Sequence, residues 1–289
     1  MSGIVSQLVD LVGRGEARHE AVVLADRDDG TVVRRGPVVA KAHAPGVDPG
    51  ELAVRVGVAA QCEGVLLPPL RGPEVLPGGR MVTVWPYGEP VSPEEPEAAP
   101  WAEAGVLLAR LHAVAPGALP PMRGPAKAAR AVARLRAVDG GGAAAEAVLR
   151  AWAALPGWAR GEGAAPEGAL CHGDFHLGQL VRCAAGWLLI DVDDLGLGDP
   201  AWDLARPAAW YAAGLLAPED WERFLGAYRA AGGSAVRGGQ EDPWARLDVP
   251  ARALTVQMSA LALAKGRPLD EAQEAMVESC VRIARLAAA

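Results

Sequence analysis

A stretch of polar residues in the middle of the chain limits the fold more than any other feature. The ten residues CHGDFHLGQL (171–180) carry two histidines, an aspartate, a glutamine and two glycines. A core strand or helix would place apolar side chains at most of these positions. Short apolar runs stand on either side, GALC (168–171) and GWLLI (186–190). The second opens into IDVDDLGLGDPAWDLARP (190–207), with carboxylates at Asp191, Asp193 and Asp194. The pattern predicts a loop fixed between two short strands, with its surroundings arranged to hold those polar groups in place.

The surroundings differ on the two sides. Near the start, Ile4, Leu8, Leu11 and Val12 form a helical stripe. EAVVLAD and TVVRRG then flank RDDG, which reads as a hairpin. PVVAKAHA is a third strand, and DPGELAVRVGVAAQ (48–61) is a helix with Asp48 at its cap. EGVLLPPL (63–70) and GRMVTVWPYGEP (79–90) read as two more strands, the second ending near Trp85. A proline-rich connection, GEPVSPEEPEAAP (88–100), follows. Beyond it the spacing predicts helices over 101–114, 125–138 and 142–155, and over most of 200–289. The expectation is an α+β chain with two lobes. A small antiparallel-sheet lobe spans residues 1–88, and a larger helical lobe with a short internal hairpin spans 89–289.

Several function classes drop out. A net charge of −7 offers no basic face for nucleic acid. No run of 18 uncharged apolar residues is present, so no membrane partner is expected. The N-terminus lacks a basic start and carries Asp10 in its apolar stretch, unlike a signal peptide. The four cysteines are scattered without a CxxC pair, which fits reduced thiols in a cytoplasmic protein. GxxxxGK[ST], GxGxxG and GxSxG are all absent. A zinc site from Cys171, His172 and His176 would want the histidine pair on a helix, and Gly173 argues for a loop. A calcium loop at Asp191–Asp194 fails because position 202 is Trp.

Phosphoryl transfer fits the spacing. It needs a base at the acceptor hydroxyl, oxygen ligands for Mg²⁺ and a cation on the nucleotide phosphates. His172, Asp174 and Gln179 reproduce the kinase catalytic-loop spacing H-x-D-x-x-x-x-N, with Gln in the amide position. Asp191 follows the apolar WLLI run, where a metal-bridging carboxylate is expected. Lys41 is one of three lysines in a chain that otherwise uses arginine, and it sits inside an apolar strand. A compact ammonium suits the α- and β-phosphates of a nucleotide. Glu51 is the acid of the following helix and a candidate partner for Lys41, although an acid near a helix start is favoured on its own account.

HGDFHLGQ together with LLIDVDDLGLGDPAWDLA resembles the aminoglycoside phosphotransferase family, which has a bilobal protein-kinase-like fold. Gly198, Asp199, Pro200, Asp203, Leu204 and Ala205 match its GDPxxDLA element, and LLARLHAV resembles its linker-following helix. The HGDxHLGQ form is similar to the maltokinase branch. The resemblance implies ATP as co-substrate and Asp174 as the base. It implies Mg²⁺ on Gln179 and Asp191, with Asp193 at a second ion, and Lys41 on the nucleotide phosphates. Trp85, Tyr87 and Gly88 would form the hinge against adenine. His172 shapes the loop, Asp203 bonds beneath it, and His176 is either packed or facing substrate. The turn DRDDG departs from the family in being acidic and lacking a glycine cluster.

The implied acceptor is a hydroxyl on a small molecule: a sugar, amino sugar or aminoglycoside. The last 91 residues hold twelve acids against ten bases, little support for a strongly acidic cleft. Trp202, Trp210, Trp221 and Trp244 could stack on a sugar face, but packing explains most of them. The competing class is a kinase-like protein that binds nucleotide without turnover. Oligomeric state is not legible.

Overall fold

The structure is a computed structural model and describes residues 3–13, 19–115, 117–138, 142–163, 168–236, 238 and 241–286. Its contacts divide the chain into two compact units. The first comprises residues 1–99, 118–120 and 177–193; the second comprises 100–117, 121–176 and 194–289.

The first unit is built on a five-stranded antiparallel sheet. Its strands are β1 (Ala21–Arg27), β2 (Gly30–Arg35), β3 (Val38–His43), β4 (Arg71–Val75) and β5 (Met81–Pro86), in the order β1-β2-β3-β5-β4. The helical stripe near the start is α1 (Gly3–Gly13). Its Val5, Leu8, Leu11 and Val12 pack on Val33, Ala40, Ala42, Val82 and Val84 of the sheet. Period-2 alternation puts Ala40 and Ala42 in this core and turns Lys41 and His43 to the opposite face. Helix α2 (Pro49–Gln61) starts as its sequence predicts, with the Asp48 side chain accepting the Glu51 N–H at 2.8 Å and Pro49 in the first turn.

EGVLLPPL is not the fourth strand. Leu66 makes one bridge to Leu189, the Leu67 N–H donates to the Leu189 carbonyl at 2.8 Å, and the strand begins at Arg71. Pro68 and Pro69 remove two successive donors, which ends ladder formation there. A smaller sheet orders β6 (Glu89–Pro90), β8 (Leu180–Cys183) and β9 (Gly186–Leu189).

The second unit is helical: α3 (Trp101–Ala113), α4 (Gly124–Arg136), α5 (Ala143–Ala153), α6 (Ala201–Ala212), α7 (Pro218–Ala230), α8 (Trp244–Ala264) and α9 (Glu271–Leu286). Helix α8 packs against α4, α5, α6 and α9, and α3 packs against α7. Gly105 permits that last contact, because a Cβ there would lie 2.3 Å from the Phe224 carbonyl oxygen. Strands β7 (Ala169–Cys171) and β10 (Gly196–Gly198) pair antiparallel. The two apolar runs beside the polar loop therefore do not form a hairpin with each other. GALC pairs with Gly196–Gly198, and GWLLI pairs with Leu180–Cys183.

Candidate active site

In the first unit, Lys41 projects from β3 onto the segment after β9. Its Nζ lies 2.7 Å from Asp191 Oδ1 and 2.9 Å from Asp193 Oδ2. Asp191 is the one non-glycine residue among those described with a left-handed backbone, at φ 67°. That conformation costs about 1–3 kcal/mol for a residue with a Cβ and persists only where its surroundings impose it. Here it lets Asp191 Oδ1 also accept the Asp193 N–H at 3.2 Å. Gln179 ends a 3₁₀ turn (Leu177–Gln179), is buried, and accepts the Ile190 N–H through its carbonyl at 2.9 Å. One backbone bond thus ties the amide-bearing residue to the neighbour of Asp191.

A relay of hydrogen bonds backs this cluster. Trp85 Nε1–H donates to Thr83 Oγ1 at 2.7 Å, and Thr83 Oγ1 lies 2.8 Å from His43 Nε2. His43 Nδ1 lies 2.7 Å from Asp193 Oδ1. The Asp193 carboxylate only accepts, so Nδ1–H donates to it, and in the neutral ring tautomer Nε2 then accepts the Thr83 O–H. Burial alone would push the Lys41 ammonium down, but Asp191 and then Asp193 outweigh it and hold it above the ordinary lysine value. Burial would raise the Asp193 carboxyl, yet Lys41 and His43 hold it well below the usual carboxylate range.

The cluster opens on a cavity of about 470 Å³ within the first unit. Leu24, Val32 and Val39 of the sheet, Trp85 to Gly88, Val181 and Ile190 line its apolar part. The Tyr87 N–H is given to the Pro37 carbonyl at 2.7 Å, and the Arg34 guanidinium stacks 3.4 Å over the Tyr87 ring. Glu51 takes a different partner from the one sequence spacing offered: its carboxylate meets Arg55 at 2.9 Å, while Lys41 is held by the two aspartates.

In the second unit the loop Cys171–His176 is held from below by Asp203 of α6, which is fully buried. Its carboxylate accepts the His172 N–H at 2.6 Å and the Gly173 N–H at 2.8 Å, and His112 Nε2 lies 3.0 Å away. Tyr228 closes the network through His112 Nδ1 at 2.8 Å. His112, Cys171 and Asp203 lie close enough to suggest a metal site. The hydrogen bonds of His112 and Asp203 already account for those two, however, and burial pushes the Cys171 thiol up, away from the thiolate a metal needs. Gly173 has φ 83°, and a Cβ there would lie 2.3 Å from the Asp194 carbonyl oxygen, so only glycine lets this loop close on that segment.

Asp174 meets two cations in this unit. Lys127 Nζ of α4 lies 2.6 Å from Asp174 Oδ2 and 2.7 Å from Asp194 Oδ2. Arg206 Nη2 of α6 lies 2.8 Å from Asp174 Oδ1. Burial would raise the Asp174 carboxyl, but Lys127 first and Arg206 next hold it below its ordinary value. Burial, with Arg206 adding to it, pushes the His176 imidazole down to about 4. Trp202, Trp221 and Trp244 serve packing. Trp202 is buried against Gly124, while Trp221 and Trp244 stack with Tyr211.

Sequence reasoning missed Lys127, Arg206, His43 and Thr83. A signal existed for Lys127: the scarcity of lysine that singled out Lys41 applies equally to it. His43 stands two residues after Lys41 in one strand, hence on the same face.

A family model described as the phosphotransferase enzyme family matches residues 19–248. The chain belongs to this family. The phosphotransferase fold is shared with solved structures at low identity. A choline/ethanolamine kinase family protein from Mesorhizobium loti has TM-score 0.64 at 19% identity, covering 98% of this chain and 93% of that one. Spectinomycin phosphotransferase APH(9)-Ia, solved with ADP and spectinomycin, has TM-score 0.65 at 13% identity, covering 98% of both chains. Choline kinase from Cryptosporidium parvum has TM-score 0.66 at 10% identity, covering 98% and 93%. A search of curated protein sequences gave no match. No helix among the described residues is long and apolar enough to cross a membrane.

Proposed function

We propose that the protein transfers the γ-phosphate of ATP to a hydroxyl of a small molecule, a sugar, amino sugar or aminoglycoside. The observation that carries this reading is the Lys41–Asp191 pair at 2.7 Å beside the 470 Å³ cavity. A charged lysine and a partly exposed carboxylate next to an apolar slot are what a nucleotide with a metal-bound phosphate tail requires. In this assignment residues 1–88 bind the nucleotide and 89–289 carry the catalytic loop and the acceptor. Adenine lies against Trp85 and Tyr87, and Lys41 exchanges its aspartate contacts for phosphate oxygens. Glu51, engaged by Arg55, stays outside the assignment.

The donor set fits Mg²⁺. Asp191 and Gln179 offer hard oxygens, and Asp191 remains about a third exposed. Bound there, the ion would supply neutralisation of phosphate charge. Both oxygens of Asp193 already face Lys41 and His43, so a second ion would have to displace one of them. Asp174, kept anionic by Lys127 and Arg206, orients the acceptor hydroxyl and takes its proton late. That suits a loose transition state in which little proton transfer is needed early.

The test is ADP release from ATP and Mg²⁺ against a panel of hydroxyl acceptors, with Asp174→Asn alongside. An acceptor-dependent rate that falls about 10²–10⁴-fold in the variant is expected. ATP bound but never turned over, with any acceptor, would instead describe a kinase-like binding protein.

A further inference from the structure

The charges around Asp174 select among hydroxyl acceptors. Building on the phosphotransferase reading, we infer that the acceptor site takes an uncharged polyhydroxy compound. It discriminates against one bearing an ammonium group beside the reacting hydroxyl, and Lys127 sets that choice.

The argument begins with charge pairing. Asp174 turns Oδ2 to Lys127 at 2.6 Å and Oδ1 to Arg206 at 2.8 Å. Lys127 spans on to Asp194 Oδ2 at 2.7 Å. Two carboxylates thus meet two cations. These side chains are 14–28% exposed, so the pairs are partly desolvated and weakly screened. An ammonium at hydrogen-bonding range of Asp174 would lie within a few ångströms of Lys127 and Arg206. At these short, weakly screened distances its attraction to the two carboxylates is offset by repulsion from the two cations. The ammonium would still lose its hydration. An anionic group meets the converse difficulty at Asp174 and Asp194.

A neutral hydroxyl escapes both. It donates to Asp174 and accepts from Lys127 or Arg206 in one geometry. His176 leaves this balance unchanged, since it titrates at about 4. The acids of α7 that could have attracted a cation do not form a buried anionic wall: Asp220 is bonded to Arg223, and Glu219 and Glu222 are exposed.

The experiment uses the full chain with ATP, Mg²⁺ and matched acceptors that differ only by one hydroxyl replaced by an amine, such as glucose and glucosamine, assayed below the amine's own pKa. The wild-type protein should show kcat/KM at least ten-fold higher for the neutral member. In Lys127→Met that ratio should fall at least ten-fold, and Lys127→Arg should keep it. A wild-type ratio of one or below overturns the inference and leaves the kinase reading standing, with no variant needed. An unmoved ratio in Lys127→Met removes Lys127 from the role. No response to any member of any pair overturns the kinase reading itself.

Discussion

Each unit holds a lysine that bridges two aspartates, yet the two bridges carry different charge. Lys41 alone faces Asp191 and Asp193, with His43 as the further partner of Asp193. Lys127 faces Asp174 and Asp194 with a second cation, Arg206, on Asp174. The first bridge sets one ammonium against two carboxylates, and the second sets two side-chain cations against two. The proposed function assigns a divalent ion to the first and a neutral hydroxyl to the second. Similar ammonium–carboxylate geometry thus sits in two different charge settings because of what is placed beside it.

The sharpest way to break this comparison is to remove one carboxylate from each bridge. Asp191→Ala should lower the Mg²⁺-dependent component of ATP affinity on the order of 10²-fold, as loss of a metal ligand does. Asp194→Ala should leave that component unchanged while lowering turnover. Titration calorimetry of ATP with and without Mg²⁺ measures both. Equal losses in the two variants would mean that the charge difference does not assign the ion.

The members of the first bridge were legible in the sequence one by one, but their pairing was not, since spacing offered Glu51 as the partner of Lys41; of the second bridge, Asp174 and Asp194 stood out and the cations did not. Lys41 stood out because a lone lysine in an apolar strand has few bland explanations, and Asp191 followed an apolar run ending at a fixed point. The GDPxxDLA resemblance implies Asp203 as a hydrogen-bonding residue beneath the loop, and its carboxylate accepts the His172 and Gly173 N–H groups there. Lys127 carried only the signal of its rarity, because its helix reads as an ordinary amphipathic one, and helical periodicity carries no information about which distant carboxylate a side chain meets. His43 and Thr83 were hidden for a related reason. Each fits a strand on its own, and only the pairing of β3 with β5 makes them a relay. Prolines at 68 and 69 misled the fourth strand, since apolar residues around them outweighed their missing donors.

The supports beneath the bridges should differ as the bridges do. Asp203→Ala would strand the buried N–H groups of His172 and Gly173 along with His112, costing about 2–4 kcal/mol in chemical denaturation. Thr83→Val keeps the shape but removes the hydroxyl that fixes the His43 ring. It should cost about 1 kcal/mol and raise KM for ATP a few-fold with little change in kcat. A Thr83 variant that lowered kcat as much as it raised KM would place the relay in the chemistry rather than in ground-state binding.

The smallest effect is the dependence of stability on pH, and its sign follows from both bridges. Asp174 and Asp193 have folded values below the ordinary 3.8, so their contribution is present above that value and is lost as pH falls through the folded values. Lys41 and Lys127 have folded values above 10.5, so theirs is complete below that value and is lost as pH rises through the folded ones. The buried His176 imidazole, pushed down to about 4 from 6.5, and the thiols of Cys62, Cys171 and Cys280, raised from 9.0, narrow the plateau, so the unfolding midpoint should be level only from about pH 7 to about pH 8 and decline on either side. Lys41 is the more enclosed of the two, 15% exposed against 28% for Lys127. Its bridge is less screened by solvent, so Lys41→Met should remove more of the alkaline decline than Lys127→Met does. If the two variants flattened that limb equally, the enclosure of the first bridge would add nothing, and the units would differ in charge count alone.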